Sequence, residues 1–159
     1  MVSVVVVGYR MSGKTTLVAS MANIPAPESG FRETCGCNYV GVNINGQEWH
    51  VWDTPYIASV DSMSSGWMGE EPLKEADVVV VCHAGHRDKS VMELVRACGV
   101  DRTVIAMTRG RCGREDYSYA IEYLCTTRSN GTLVHRAYGV TDLIACVLQL
   151  LPDTFAEAT

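Results

Sequence analysis

The chain opens with Val2–Val7, which is apolar at every position except Ser3. A β-branched run without alternation predicts a central strand covered on both faces. Ala76–Cys82 and Thr103–Met107 repeat that pattern and predict two more buried strands. Asn38–Ile44 and Gln47–Trp52 flank Asn45-Gly46, a strong signal for a two-residue hairpin. Thr132–His135 reads as a further short strand. Helices are predicted over Lys14–Met21, Lys89–Cys98, Asp116–Cys125 and Val140–Leu151, the last amphipathic and ending before Pro152. Pro25 and Pro27 leave Asn23–Thr34 as a loop. Thr54–Gly69, rich in Ser, Gly and Met, predicts a mobile loop running into one more helix. The order is strand, helix, hairpin, helix, then strand and helix in alternation. It predicts a three-layer α/β fold with a six-stranded, mostly parallel sheet, one antiparallel edge strand and about five helices.

Composition narrows the class. The 159 residues suit one domain, and 47% apolar residues is a globular value. A net charge of −5 argues against nucleic acid as a partner. No stretch approaches the ~18 apolar residues of a membrane span, and the C-terminal FAEAT offers no lipidation cysteine. A soluble, cytoplasmic protein is expected. The cysteine count is seven, an odd number, with several in apolar runs, which suggests buried, reduced thiols. Cys82-His83-Ala84-Gly85-His86 is a weak metal-site candidate at a strand end.

The chemistry concentrates at Gly8-Tyr9-Arg10-Met11-Ser12-Gly13-Lys14-Thr15-Thr16, directly after the first strand. Gly, four residues, Gly-Lys-Thr is the Walker A pattern. A strand ending at Gly8 lets the loop turn its N–H groups inward, and Gly13 lets backbone approach a phosphate. The helix starting near Lys14 adds its positive end. Lys14 then reaches the β/γ-phosphates, and the Thr15 hydroxyl ligates Mg²⁺. Asp53 ends a strand and supplies a second Mg²⁺ contact. Thr34, in the first long loop, is placed to fold over the γ-phosphate and complete a nucleotide-dependent switch.

In this order the motifs resemble those of Ras-like GTPases, and more closely those of the immunity-associated GTPases, the GIMAP family. Ser12-Gly13-Lys14 resembles their loop ending, Glu33-Thr34-Cys35 their Thr-Cys switch, and Asp53-Thr54-Pro55-Tyr56-Ile57 their Asp-Thr-Pro segment. Thr108-Arg109 is similar to the start of their base-recognition motif, and Ala137 stands where a backbone N–H meets the base in Ras-like proteins. The likeness covers roughly residues 2–125. It implies a single G domain over 1–152 with a short tail at 153–159, binding GTP or GDP with Mg²⁺. It also implies a protein effector, or a homodimer, engaged through switch loops 26–36 and 54–68.

Several positions depart from the family pattern. Arg111 stands where the guanine-reading Asp belongs, leaving Glu115 or Asp116 to be delivered by a looped segment. Tyr56 and Ile57 replace Gly and Gln, and Ile57 cannot orient a water. Arg10, at the third loop position, acts either as a built-in cationic finger or as a block to a partner's finger. Slow or absent GTP hydrolysis is therefore expected, with Lys14, Arg10 and Thr34 as its machinery. Two rivals remain: a P-loop kinase with a lid built from residues 109–114 (RGRCGR), and a nucleotide-independent module with a relict loop.

Overall fold

The structure, a computed structural model, describes residues 1–22, 36–84, 89–108, 122–126 and 133–151. Thr34, Arg109, Arg111, His86, the 109–114 segment and the 153–159 tail lie outside the described residues.

The sheet forms around β1 (Val2–Gly8). Its strands lie in the order β2 (Asn38–Ile44), β3 (Gln47–Asp53), β1, β4 (Val78–Ala84), β5 (Thr103–Thr108), β6 (Glu122–Thr126), β7 (Leu133–Tyr138). β1 pairs in parallel with β3 and β4, and β4 with β5. The β2–β3 hairpin is antiparallel, as its turn demands. Asn45 and Gly46 both have positive φ, 53° and 84°, the geometry that matches strand twist. A Cβ on Gly46 would meet nothing within 4 Å, so the position is constrained only by its backbone angle. Gly46→Ala is accordingly expected to cost about 1 kcal/mol in urea unfolding, with the slope unchanged.

The uniform valines of β1 are explained by two cores. Val2, Val4 and Val6 join Leu17, Val18 and Met21 of α1 (Lys14–Ala22) and Leu143, Cys146 and Val147 of α4 (Gly139–Leu150). Val5 and Val7 face the other side, with Leu73 of α2 (Glu70–Glu75) and Val91, Leu94 and Val95 of α3 (Lys89–Cys98). Each such valine contributes about 1.5 kcal/mol by leaving water. Ser3 is half-buried within this run, and its backbone N–H donates to Asp77 Oδ2 at 2.8 Å. The three-layer α/β expectation thus holds, and helices lie on both faces.

The far half of the sheet differs from expectation. A helix was predicted over Asp116–Cys125, yet residues 122–126 form β6, antiparallel to both β5 and β7. Among the described residues the sheet has seven strands, and β6 joins β2 as an antiparallel strand. The physical reason is long-range. Glu-Tyr-Leu-Cys-Thr has no strong local preference, and the open edge of β5 offers backbone partners from Val104↔Cys125 to Met107↔Glu122. Once β6 is in place, β7 has a partner and runs to Tyr138, past the expected end at His135.

The cysteines also depart in part. Cys37, Cys82 and Cys98 are free, but Cys146 is disulfide-bonded. Which thiols meet is decided by packing and is invisible in their spacing. Among the described residues no helix is long and apolar enough to cross a membrane.

Candidate functional site

Parallel strands deliver their C-terminal ends to one edge of a sheet, where ligands of open α/β folds bind. Gly8 ends β1, Asp53 ends β3 and Thr108 ends β5. Ala137 is the penultimate residue of β7, which runs parallel to β5, so it lies along the same edge. Four of the predicted binding positions are thereby aligned by topology alone.

The loop after β1 has a defined shape. Tyr9 extends the strand by one parallel bridge to Ile57, and its hydroxyl donates to the Ser90 carbonyl at 3.1 Å. Arg10 and Met11 are exposed at the turn, while Ser12 is buried. Met11 and Gly13 have φ of 60° and 86°. Those two left-handed residues reverse the backbone so that α1 can start at Lys14. Glycine takes such angles freely, whereas Met11 does so at a cost of about 1–2 kcal/mol. Gly8 is required for a different reason: a Cβ there would run into Ser12 Oγ and lie 2.7 Å from the Cys82 carbonyl.

Lys14 and Asp53 are both buried, at 8% and 7% exposure. Charged side chains are seldom so buried without partners, which marks this corner of the protein as polar by construction. The Thr15 hydroxyl donates to Asp53 Oδ2 at 2.7 Å. Register explains the contact, since Asp53 lies beside Val6, two residues before Gly8. A hydroxyl and a carboxylate oxygen form a hard donor pair suited to Mg²⁺, with further coordination left to phosphate oxygens and water. The residues present therefore fit the implied metal. They would hold it between the first turn of α1 and the end of β3, where it would offset phosphate charge. Among the described residues no cluster of three or more His, Cys, Asp or Glu is placed for a metal. Cys82, from the sequence's other metal candidate, is buried behind the cradle, and that burial pushes its thiol up to about 12, so it stays protonated.

The segment after Asp53 is fastened from several sides. Thr54 Oγ1 donates to the Val6 carbonyl at 2.7 Å, and the Ile57 N–H donates to the Gly8 carbonyl at 2.9 Å. The Arg10 guanidinium carbon stands 5.7 Å from the centre of the Tyr56 ring, a cation–π pair linking the two loops. The indole N–H of Trp67 donates to the Pro55 carbonyl at 3.1 Å. Cys37 Sγ donates to the Met68 carbonyl at 3.0 Å, tying the lead-in of β2 to the same loop. Burial, and then the Asp53 carboxylate, raise the Cys37 thiol above its usual range.

The structure brings Gly8, Lys14, Thr15 and Asp53, all singled out in the sequence, to one corner. Sequence reasoning gave no role to Thr54, whose clue was a hydroxyl directly after a strand-ending Asp. The half-buried Trp67 ring packs against the α2/α3-side core while its N–H donates to the Pro55 carbonyl. No spacing rule links a tryptophan to a carbonyl twelve residues earlier.

No protein-family model and no curated protein matches the chain in sequence. Solved structures do match in fold. Aquifex aeolicus Era bound to GDP·AlF4− is similar with a TM-score of 0.50 and 20% identity, over 73% of this chain and 43% of that one. A protein of Thermus thermophilus gives a TM-score of 0.51 and 14% identity, over 69% of this chain and 19% of that one. The fold is that of the P-loop NTPases. The match spans less than half of either neighbour's chain. The loop from Gly8 to Thr15 follows the central strand β1, and Asp53 ends β3, the strand paired beside it.

Proposed function

We propose that this protein is a guanine-nucleotide-binding molecular switch, a single G domain over residues 1–152 that binds GTP or GDP with Mg²⁺ and hydrolyses GTP slowly or not at all. The observation that carries the reading is the 2.7 Å contact between Thr15 and Asp53 beneath a glycine-bounded turn. Main-chain N–H groups of residues 9–15 cradle the phosphates, and Lys14 neutralises their charge. Thr15 and Asp53 hold the Mg²⁺, with Thr34 joining from the first loop.

The base lies further along the same sheet edge, against Thr108, Arg109 and Ala137. Guanine is favoured because Thr108-Arg109 resembles the opening of a guanine-recognition motif and because the similar Era structure holds GDP. Slow turnover follows from Ile57, whose side chain is 1% exposed and so not available to a water. Loops 26–36 and 54–68 are the parts whose shape responds to a third phosphate, and they present the surface for an effector. A net charge of −5 argues against nucleic acid as a partner.

Competition of GDP, GTP, ADP and ATP against a fluorescent nucleotide, with and without Mg²⁺, tests this. The expected result is micromolar or tighter guanine binding that weakens when Mg²⁺ is chelated. Adenine preference, or no binding at all, would overturn it.

A further inference from the structure

The β2 strand forms one end of the sheet, and its outer side has no strand partner among the described residues. Such edges are normally protected by lysine, proline or a bulge. Here residues 36–47 carry no charge and no proline, and the β2–β3 ladder is regular along all seven pairs. The hairpin's two-residue turn makes Ile44 and Gln47 a hydrogen-bonded pair. Alternation then directs the backbone groups of Asn38, Val40, Val42 and Ile44 toward β3. Those of Tyr39, Gly41 and Asn43 point outward, unpaired within the sheet.

The strand is also nearly symmetric about its centre, Asn-Tyr-Val-Gly-Val-Asn-Ile. We infer that β2 is the contact between two copies of this chain, paired antiparallel about a two-fold axis at Gly41. Around that axis Gly41 faces Gly41 of the partner subunit, and Tyr39 faces Asn43 of the partner subunit. All three are outward-pointing positions, so the register satisfies the exposed backbone groups in both directions. On the α1 side, Val40 meets Val42 of the partner subunit. Both valines are only partly buried against the core of one chain, so pairing completes their cover. On the other face, half-exposed Tyr39 stacks on His50 at 4.5 Å and on Trp52 at 4.8 Å between ring centres. That stack preorganises an aromatic rim beside the partner's Asn43. The two sheets become one continuous sheet, whose axis at Gly41 lies three residues along β2 from Asn38, the residue paired with Asp53.

The register supplies its own test. A Cβ at Gly41 would meet only Glu48 Oε1, at 3.9 Å, so larger residues fit in one chain. In the dimer, residue 41 lies opposite itself. Gly41→Lys and Gly41→Glu are therefore each expected to weaken self-association of the full chain at least about tenfold by sedimentation velocity, through like charges at the axis. An equimolar mixture of the two variants is expected to regain at least wild-type association. Thermal unfolding of each variant at dilute concentration is expected to match that of wild type, which confirms the fold. The inference is overturned by a wild-type chain that stays monomeric throughout the concentration series, by variants that associate like wild type, or by a mixture that does not recover. None of these readouts depends on nucleotide.

Discussion

Lys14→Ala is expected to weaken nucleoside triphosphate binding by roughly 10–100-fold, the equivalent of one charge-assisted hydrogen bond to phosphate. Lys14 is 8% exposed and sits at the first turn of α1, where the helix end and the neighbouring N–H groups already favour an anion. Removing the ammonium leaves those groups in place, so diphosphate binding is expected to fall less. Asp53→Asn separates the metal's part. It keeps the volume beside Thr15 but removes the anionic oxygen that the hydroxyl meets at 2.7 Å. Binding by Asp53→Asn is expected to lose most of its Mg²⁺ dependence while Lys14→Ala keeps it. Isothermal titration with and without Mg²⁺ reads both effects. Equal affinity of Lys14→Ala and wild type for triphosphate would remove the cradle from the account.

Ile57→Gln is expected to cost about 2–4 kcal/mol of stability without producing rapid hydrolysis. In Ras a glutamine orients the attacking water. Here the side chain is 1% exposed and belongs to the core on the α2/α3 side of the sheet, and the residue's N–H is bonded to the Gly8 carbonyl. Glutamine there must either bury an unpaired amide or pull the segment off β1, and both are costly. The Arg10–Tyr56 cation–π pair next to it also remains. Chemical denaturation gives the first number and single-turnover GTP hydrolysis the second. A variant as stable as wild type that turns over rapidly would show that Ile57 is not anchored as described.

The two substitutions separate what the chain displays locally from what it displays only when folded. Lys14 is legible from its neighbours, because a phosphate cradle needs its glycines, its lysine and its hydroxyl within one turn of helix. Ile57 is legible as an absence, a residue without the chemistry of glutamine. That it is a core residue pinned to Gly8 comes from the pairing of Tyr9 with Ile57 across the end of the sheet.

The same division runs through the fold. VSVVVV determined a strand covered on both sides, since no other element buries consecutive valines on two faces. Asn45-Gly46 determined the hairpin, because the paired positive φ angles select those residues. The Walker A pattern from Gly8 to Thr15 was likewise written in adjacent residues. Only the tertiary structure decided that Glu122–Thr126 is a strand, because its backbone partners lie on β5, some twenty residues away, and five residues of mixed preference do not reveal them. It alone set Asp53 against Thr15, Trp67 on Pro55, and β2 at an open edge, since each depends on which strands become neighbours. Local sequence selects backbone angles and burial pattern. Register and strand order select which distant groups meet, and the corner that joins Thr15 to Asp53 is made of such meetings.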